Sequence, residues 1–268
     1  MSERDGSRAY SIASVERAFA LLDTFNSVPM TLAELSRAAG LSEATTLRYL
    51  RTLARHDIVE RAEGGRYRLG LGLFRLGQRA LGDRDPRKVA LPFMEQLLQR
   101  FEETVNLAFR NNDDLVIVEV LESKRSIKKG ATIGDHDLWH CSSLGKAILA
   151  SLPEAEVLGI LERRGVDRRT ARTLATLEEL VAELEQVRTL GYAVDNEEAE
   201  EGLYCVGTAI FDARGEPRYA LSLSGPANRF PRRTVAVIGE ELRSVSAVIS
   251  ARLGYMPANE VRTKEVTR

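Results

Sequence analysis

The chain has 268 residues, of which 44% are hydrophobic and 29% are charged, and its net charge is -1. This length allows about two domains, and the composition is typical of a soluble globular protein. No apolar run reaches the roughly 18 residues that a membrane span needs, and the N-terminal segment lacks the apolar core of a signal peptide, so we expect a cytoplasmic protein.

The charge is unevenly distributed along the chain. Residues 1–80 contain 12 Arg against 9 Asp and Glu, whereas the remainder has an excess of acidic residues. A basic N-terminal part on an acidic body favours a DNA-binding domain joined to a domain with another task.

Three short helices are predicted near the N-terminus. Apolar residues at helical spacing form one stripe over Ser14–Phe25 and predict the first helix. The segment Thr31–Glu34 has the form of a capping box and predicts a second helix that runs to about Ala39. Gly40 suits a left-handed turn, and Ser42 is a good N-cap for the third helix.

A β-hairpin and a connecting helix are predicted next. Two strand-like runs, Ile58–Arg61 and Arg66–Leu69, flank a Gly-Gly turn. Three helices followed by a hairpin predict a winged helix-turn-helix domain over residues 8–70. The helical composition of Leu71–Leu81 predicts a linker helix over residues 71–85.

The second half alternates between strands and helices. The predicted strands are Val105–Arg110, Leu115–Leu121, Ser126–Ile133, Tyr192–Asp195, Val206–Asp212 and Arg218–Ser224. The predicted helices are Pro86–Glu103, which Pro92 should disturb, Ser142–Leu152, Glu154–Arg163, a capped helix from Thr176 to Gly191, and Arg232–Leu253. This order predicts an α+β domain over residues 86–255, with a central antiparallel sheet flanked by helices.

Motifs along the chain resemble those of a known family. The N-terminal motifs are Thr31–Leu35, Gly40–Ser42, Thr45-Thr46 with Arg48 and Leu50, and Tyr67–Gly70. The C-terminal motifs are His140–Ser142, Gly145–Ala147, Gly191-Tyr192 with Asp195, Glu197-Glu198, Gly202–Cys205, Ile210–Asp212 and Leu221–Pro226. Their order and spacing over about residues 11–254 resemble the IclR family of bacterial transcription regulators. The resemblance implies a GAF-like effector-binding domain, dimers that often pair into tetramers, and control of catabolic operons.

The third predicted helix supplies most of the candidate DNA-binding residues, because in helix-turn-helix proteins its start enters the major groove. Arg48 can make a bidentate contact to guanine, and a Glu43 carboxylate can accept from a cytosine amino group although it repels phosphate. Arg51, Arg55 and the wing arginines suit backbone contacts, or are ordinary surface residues. The candidates are Thr31, Ser42, Glu43, Ala44, Thr45, Thr46, Arg48, Tyr49, Arg51, Arg66 and Arg68.

The resemblance also implies an effector site at the start of the helix near Ser142, where the family holds small carboxylates. Free backbone amides at a helix N-terminus attract an anion. Ser222 and Ser224 are two residues apart on one strand and therefore point to the same face. The candidates are Ser143, Leu144, Gly145, Asp195, Leu203, Cys205, Ser222 and Ser224; filling of the core is the alternative role for the serines and Cys205.

We therefore expect a repressor of a catabolic operon that binds double-stranded operator DNA as a homodimer or homotetramer. Its effector is expected to be a small organic acid, aliphatic or aromatic. Neither cysteine has zinc-site spacing, so we expect no metal and no cofactor. An enzyme that uses His140, Cys141, Cys205 and Asp195 as a Cys-His nucleophile is the first alternative. A DNA-binding architectural protein without a ligand is the second.

Overall fold

A computed structural model describes residues 12–26, 28–81 and 85–256. The chain divides into two compact units, residues 1–83 and residues 84–268. Residues 8–11 of the expected first domain and residues 82–84 of the expected linker lie outside the described residues. None of the helices in the described ranges is both long enough and apolar enough to span a bilayer.

The first unit contains three short helices, a hairpin and a fourth helix. In chain order these are α1 (Ala13–Leu22), α2 (Leu32–Ala38), α3 (Glu43–Arg55), β1 (Val59–Arg61), β2 (Tyr67–Leu69) and α4 (Leu71–Leu81). A small core joins them, made by Leu21, Leu35, Leu50, Val59 and Tyr67. Tyr67 also pairs with Met30, so the hairpin is tied to the chain that precedes α2.

Local sequence determines the start of α2 and the turn between α2 and α3. Thr31 Oγ1 accepts from the Glu34 amide at 3.3 Å and Glu34 accepts from the Thr31 amide at 2.7 Å, which confirms the predicted capping box. Gly40 takes a φ of +63°, as a left-handed turn requires. Ser42 Oγ accepts from the Thr45 amide at 3.3 Å and caps α3 as expected.

Only the C-terminal end of the predicted apolar stripe, Leu22 and Phe25, packs against the core. The helix ends at Leu22 rather than Phe25, and Leu21 is its buried residue. Val15 and Phe19, both in the stripe, are 47% and 61% exposed. The reason is geometric: only the last turn of α1 reaches the core of this unit, so the rest of the stripe faces solvent.

The second unit is built on an antiparallel sheet with the strand order β4-β3-β7-β6-β5. The strands are β3 (Thr104–Asn111), β4 (Asp114–Leu121), β5 (Ala193–Asn196), β6 (Leu203–Phe211) and β7 (Pro217–Pro226). The helices are α5 (Pro86–Phe101), α6 (Ser143–Ala150), α7 (Glu154–Arg164), α8 (Leu177–Leu190) and α9 (Arg232–Arg252).

Helices cover both faces of this sheet, as the sequence predicts. One core holds residues of α6, α7 and α8, and the other holds residues of α5 and α9. Strand alternation sorts the sheet residues between them. Leu221 and Leu223 of β7 lie in the α5–α9 core. The intervening Ser222 and Ser224 therefore face the α6 side.

One sequence prediction about this unit is wrong. Residues 126–133 do not form a strand. Side chains bind the carbonyl groups of this segment instead of a strand ladder: Arg229 donates to Ile127 O and Thr104 to Lys129 O. Helix α5 contains Pro92, which removes one helical hydrogen bond without breaking the helix.

Candidate functional site

The exposed face of α3 carries a row of arginines. Leu50 is buried on the opposite face, and helical spacing places Ala44, Arg48, Arg51 and Arg55 on one exposed side. Arg48 and Arg51 form no ion pair with any of the described residues. Exposed and unpaired, these two guanidinium groups are available to phosphates or base edges.

Thr46 and Tyr49 do not fit their expected place on this face. Thr46 is fully buried, and its hydroxyl has no hydrogen-bond partner in the described structure. Tyr49 is half-buried and packs against the core of the first unit. Both lie on the inward side of α3 because they are adjacent to Leu50 or one turn from it.

The other DNA candidates of this unit are near the surface, and several are already hydrogen-bonded. The hydroxyls of Thr31 and Ser42 serve the two helix caps. On the wing, Arg66 lies 3.6 Å from Glu34 and Arg68 pairs with Glu60. These wing pairs are exposed and therefore weak, so the arginines can exchange a carboxylate for a phosphate at little cost.

A cavity of about 120 Å³ lies between the sheet and the start of α6. The connection between β5 and β6 and the segment from Lys129 to Asp137 enclose it further. Six of the eight residues expected to contact an effector line it: Ser143, Leu144, Asp195, Cys205, Ser222 and Ser224. The fold thus brings together residues that are far apart in sequence.

Gly145 and Leu203 do not line this cavity. The Gly145 amide donates to Ser142 Oγ at 2.9 Å, so it is not free for a ligand. A side chain at Gly145 would place its Cβ 2.3 Å from Leu138 O, so glycine is needed for close packing. Leu203 pairs with Pro226 at the end of β6. The amides of Ser143 and Leu144 remain without a partner among the described residues.

Asn106 also lines the cavity and is not among the residues predicted from the sequence. It lies opposite Ser222 in the register of β3 and β7. Its Nδ2 donates to Ser222 Oγ at 3.4 Å and to Ser224 Oγ at 3.3 Å. Its position offered a signal, since Asn106 is a polar residue between Val105 and Leu107 in a largely buried strand.

Buried acids contribute to the electrostatics of the cavity. Asp195 Oδ1 accepts from the amides of Glu198 and Ala199 at 2.8 and 3.3 Å. Burial raises the pKa of Asp195 to about 6, although these two hydrogen bonds oppose the shift. Burial also raises the pKa of Asp137. Lys129 lines the same cavity and supplies a positive charge.

A buried ion cluster supports the α6 side of the cavity. Lys146 lies on α6 and is fully buried. Its Nζ is 2.6 and 2.8 Å from the two Glu198 carboxylate oxygens and 3.1 Å from Glu183. Glu198 also donates its amide to Asp195, so the cluster connects α6 to the loop that closes the cavity. No group of metal-ligating side chains occurs in the described part of the chain.

Both units match known sequence families. Residues 14–63 match the family described as the IclR helix-turn-helix domain. Residues 78–251 match the family described as Bacterial transcriptional regulator IclR C-terminal. The two matches follow one another along the chain and cover most of it.

Relatives and solved structures agree with these matches. The chain is 36% identical over 91% of its length to the HTH-type transcriptional repressor AllR of Salmonella typhimurium, of which it covers 91%. It is 35% identical to AllR of Escherichia coli, with 90% of each chain covered.

Two crystal structures extend the similarity to the fold. An IclR homolog from Microbacterium hydrocarbonoxydans in complex with 4-hydroxybenzoate has a TM-score of 0.81, with 26% identity over 90% of this chain and 99% of that one. The IclR structure from Thermotoga maritima has a TM-score of 0.74, with 30% identity over 90% and 99%. The chain belongs to the IclR family and is a DNA-binding transcription regulator.

Proposed function

We propose that this protein represses a catabolic operon and that a small organic acid bound in the α6 cavity changes its affinity for operator DNA. The main support for an effector site is a pair of backbone amides, Ser143 and Leu144, at the start of α6. They have no hydrogen-bond partner among the described residues and lie at a polar cavity. The names of the AllR relatives support repression, and the 4-hydroxybenzoate complex supports an organic acid as ligand.

In the proposed arrangement residues 8–70 bind DNA, the helix from residue 71 links the domains, and a GAF-like domain over residues 86–255 binds the effector. Arg48 reads a guanine edge in the major groove, and Arg51 contacts phosphate. Arg66 and Arg68 reach the backbone from the wing. Glu43, Ala44 and Thr45 lie at the start of α3, where this helix approaches the bases. The protein acts in the cytoplasm, where operator DNA is found.

The protein is proposed to bind as a homodimer, with dimers pairing into tetramers. Ile12, Val15 and Phe19 form an exposed apolar row along α1, and Leu71 and Phe74 are exposed on α4. Exposed large apolar residues at helical spacing are typical of an interface between subunits. A two-fold dimer matches a palindromic operator whose half-sites lie about one helical turn, or a multiple of it, apart.

The size of the cavity favours an aliphatic acid over an aromatic one. Its volume of about 120 Å³ is below the roughly 150 Å³ of an engineered cavity that holds benzene. The ligand carboxylate would bind at the α6 amides, and the two serines would donate to its oxygens. Cys205 would form a neutral wall, since burial raises the pKa of its thiol well above the ordinary value.

A Cys-His enzyme has less support. Burial raises the pKa of Cys141 to about 12, so this thiol is a poor nucleophile at neutral pH. His140 Nε2 lies 2.9 Å from Asp167 O, and burial lowers the pKa of this imidazole. A hydrolase would need an activated thiolate, and neither cysteine has the surroundings that produce one.

Fluorescence anisotropy with DNA from upstream of the gene tests the proposed function. We expect binding to this DNA and a change in affinity when a panel of small aliphatic acids is added. A hydrolase assay on the same protein distinguishes the proposed regulator from a Cys-His enzyme. Turnover by the protein together with no preference for the upstream DNA over random DNA would contradict the proposal.

A further inference from the structure

A buried acceptor in the α6 cavity has no hydrogen-bond partner. Asn106 is 2% exposed, and its Oδ1 is buried without a donor among the described residues. Its Nδ2 donates to the Ser222 and Ser224 hydroxyls, and these hydrogen bonds hold the amide group in place. Buried polar atoms are paired in nearly all proteins, and an unpaired one in a ligand cavity points to a group that the ligand brings.

Asp195 presents a second acceptor to the same space. It is also 2% exposed, and one carboxylate oxygen is engaged by the amides of Glu198 and Ala199. Its other oxygen, Oδ2, accepts no hydrogen bond from the described residues. Like Asn106, it lines the cavity. A ligand that carries only a carboxylate would leave both acceptors unpaired and would place its negative charge beside Asp195.

On the basis of the proposed function, we infer that the effector carries a hydrogen-bond donor beside its acid group. Asn106 and Asp195 select such an effector by accepting a hydrogen bond from that donor. A hydroxyl group is the smallest donor that fits. The acid end binds the amides of Ser143 and Leu144, which supply donors only. At the other end the single hydroxyl hydrogen is shared between two acceptors, Asn106 Oδ1 and Asp195 Oδ2, in a three-centre hydrogen bond. The chemical class is therefore a small aliphatic hydroxy acid.

Discrimination against acids without a donor is expected to be large. A site built to hydrogen-bond a ligand hydroxyl rejects the analogue that lacks it, because the buried acceptors are then left unpaired. The distribution of donors and acceptors in the cavity thus adds to the selection that its volume imposes.

A matched pair of probes tests this inference on the full-length protein. Lactate and 2-methylpropanoate have the same number of heavy atoms and differ by a hydroxyl in place of a methyl group. Calorimetric titration should show that lactate binds at least about tenfold more tightly. Equal affinity, tighter binding of 2-methylpropanoate, or binding of neither acid would overturn the inference.

Variants assign the discrimination to its side chains. Asn106→Leu keeps the size of the side chain but removes the acceptor, and it should bring the two acids to within about threefold of each other. Asn111→Leu makes the same change at the exposed end of the same strand and should keep the preference. Asp195→Asn can still accept from its two amides and should also weaken the preference. A preference that survives in both cavity variants would overturn the assignment.

DNA binding distinguishes a wrong ligand assignment from a wrong proposed function. Ligand-free binding to upstream DNA is measured for each variant in parallel. Full DNA binding with no preference for the hydroxy acid contradicts the role of Asn106 and Asp195 alone. Absence of specific DNA binding by the native protein contradicts the proposed function itself.

Discussion

Arg48 and Thr46 lie two residues apart on α3 and face opposite sides of the helix. The Arg48 side chain is exposed and unpaired within the described structure, whereas Thr46 is fully buried. Both stand in the stretch of α3 that the helix-turn-helix motif assigns to DNA. Only the direction of each side chain separates a DNA contact from a core residue, and substitutions at the two positions should differ accordingly.

Arg48→Ala should cost about 1–3 kcal/mol at the specific operator and much less on random DNA, because it removes a contact to a base edge. Arg66→Ala should weaken binding to both DNAs about equally and reduce the salt dependence by about one ion. Anisotropy titrations on the two DNAs measure these effects. Equal losses on both DNAs for Arg48→Ala would show that this residue contacts only the backbone.

The control is Thr46→Val, which removes the unpaired hydroxyl without changing the shape of the side chain. It should leave operator affinity unchanged and should not lower the free energy of unfolding, since a buried hydroxyl without a partner contributes no favourable hydrogen bond.

Asp195 makes stability depend on pH in a direction opposite to that of a salt-bridged carboxylate. Its pKa is about 6 in the folded protein, against 3.8 for an unperturbed aspartate side chain, so the folded state holds the additional proton between these values. The stabilisation is complete below about pH 4 and is lost as the pH rises through 6. Urea unfolding across this range should show a loss of at most about 1.4 kcal/mol per pH unit from this group.

The variant Asp195→Asn isolates this contribution. The difference in unfolding free energy between the native protein and the variant should change between pH 4 and 6 and become constant above about 7. A difference that is constant across the whole range would show that Asp195 is ionised in both states.

Among the elements, α6 connects most of the features of the site. Its first amides face the cavity, Gly145 permits close packing against Leu138, and Lys146 binds Glu198. Local sequence could predict the helix and its Ser142 cap, because capping depends on neighbouring residues. The burial of Lys146 could not be predicted, since its partners are far away in sequence and become neighbours only when the sheet forms.

In the rest of the fold, too, local patterns could be predicted from the sequence and long-range contacts could not. The capping boxes at Thr31 and Thr176 are local patterns, and the structure has them where the sequence predicts. Ser222 and Ser224 also face the same side of β7, as predicted, with Leu221 and Leu223 on the other side. Residues 126–133 have the composition of a strand, but none of the strands in the described residues pairs with them. Asn106 was missed because its role depends on the register with Ser222, which a single strand does not reveal.

Lys146→Met should lower the free energy of unfolding by about 3–5 kcal/mol, because it leaves the buried Glu198 carboxylate without its partner. The control is the double variant Lys146→Met with Glu198→Leu, which replaces this buried pair by apolar groups and should recover most of the loss. Urea unfolding measures both. A single variant within about 1 kcal/mol of the native protein would show that the pair is not a significant stabilising contact.

At the scale of the whole molecule, the exposed apolar row on α1 predicts a dimer. Light scattering of the native protein should give the mass of a dimer or tetramer. Phe19→Asp places a charge in the row and should produce a smaller species and weaker operator binding. Val28→Asp, at another exposed apolar position of the same unit, is the control and should change neither. A monomeric native protein, alone and on DNA, would contradict the proposed assembly.

We propose that the cavity at the start of α6 controls binding to the operator. The most direct test is a titration of operator binding with and without lactate, using the native protein and the double variant Ser222→Ala with Ser224→Ala. Without the acid, we expect the variant to bind operator nearly as tightly as the native protein; with the acid, we expect no response, because the two sites are separate and coupled. A double variant that still responds fully would show that the ligand binds elsewhere.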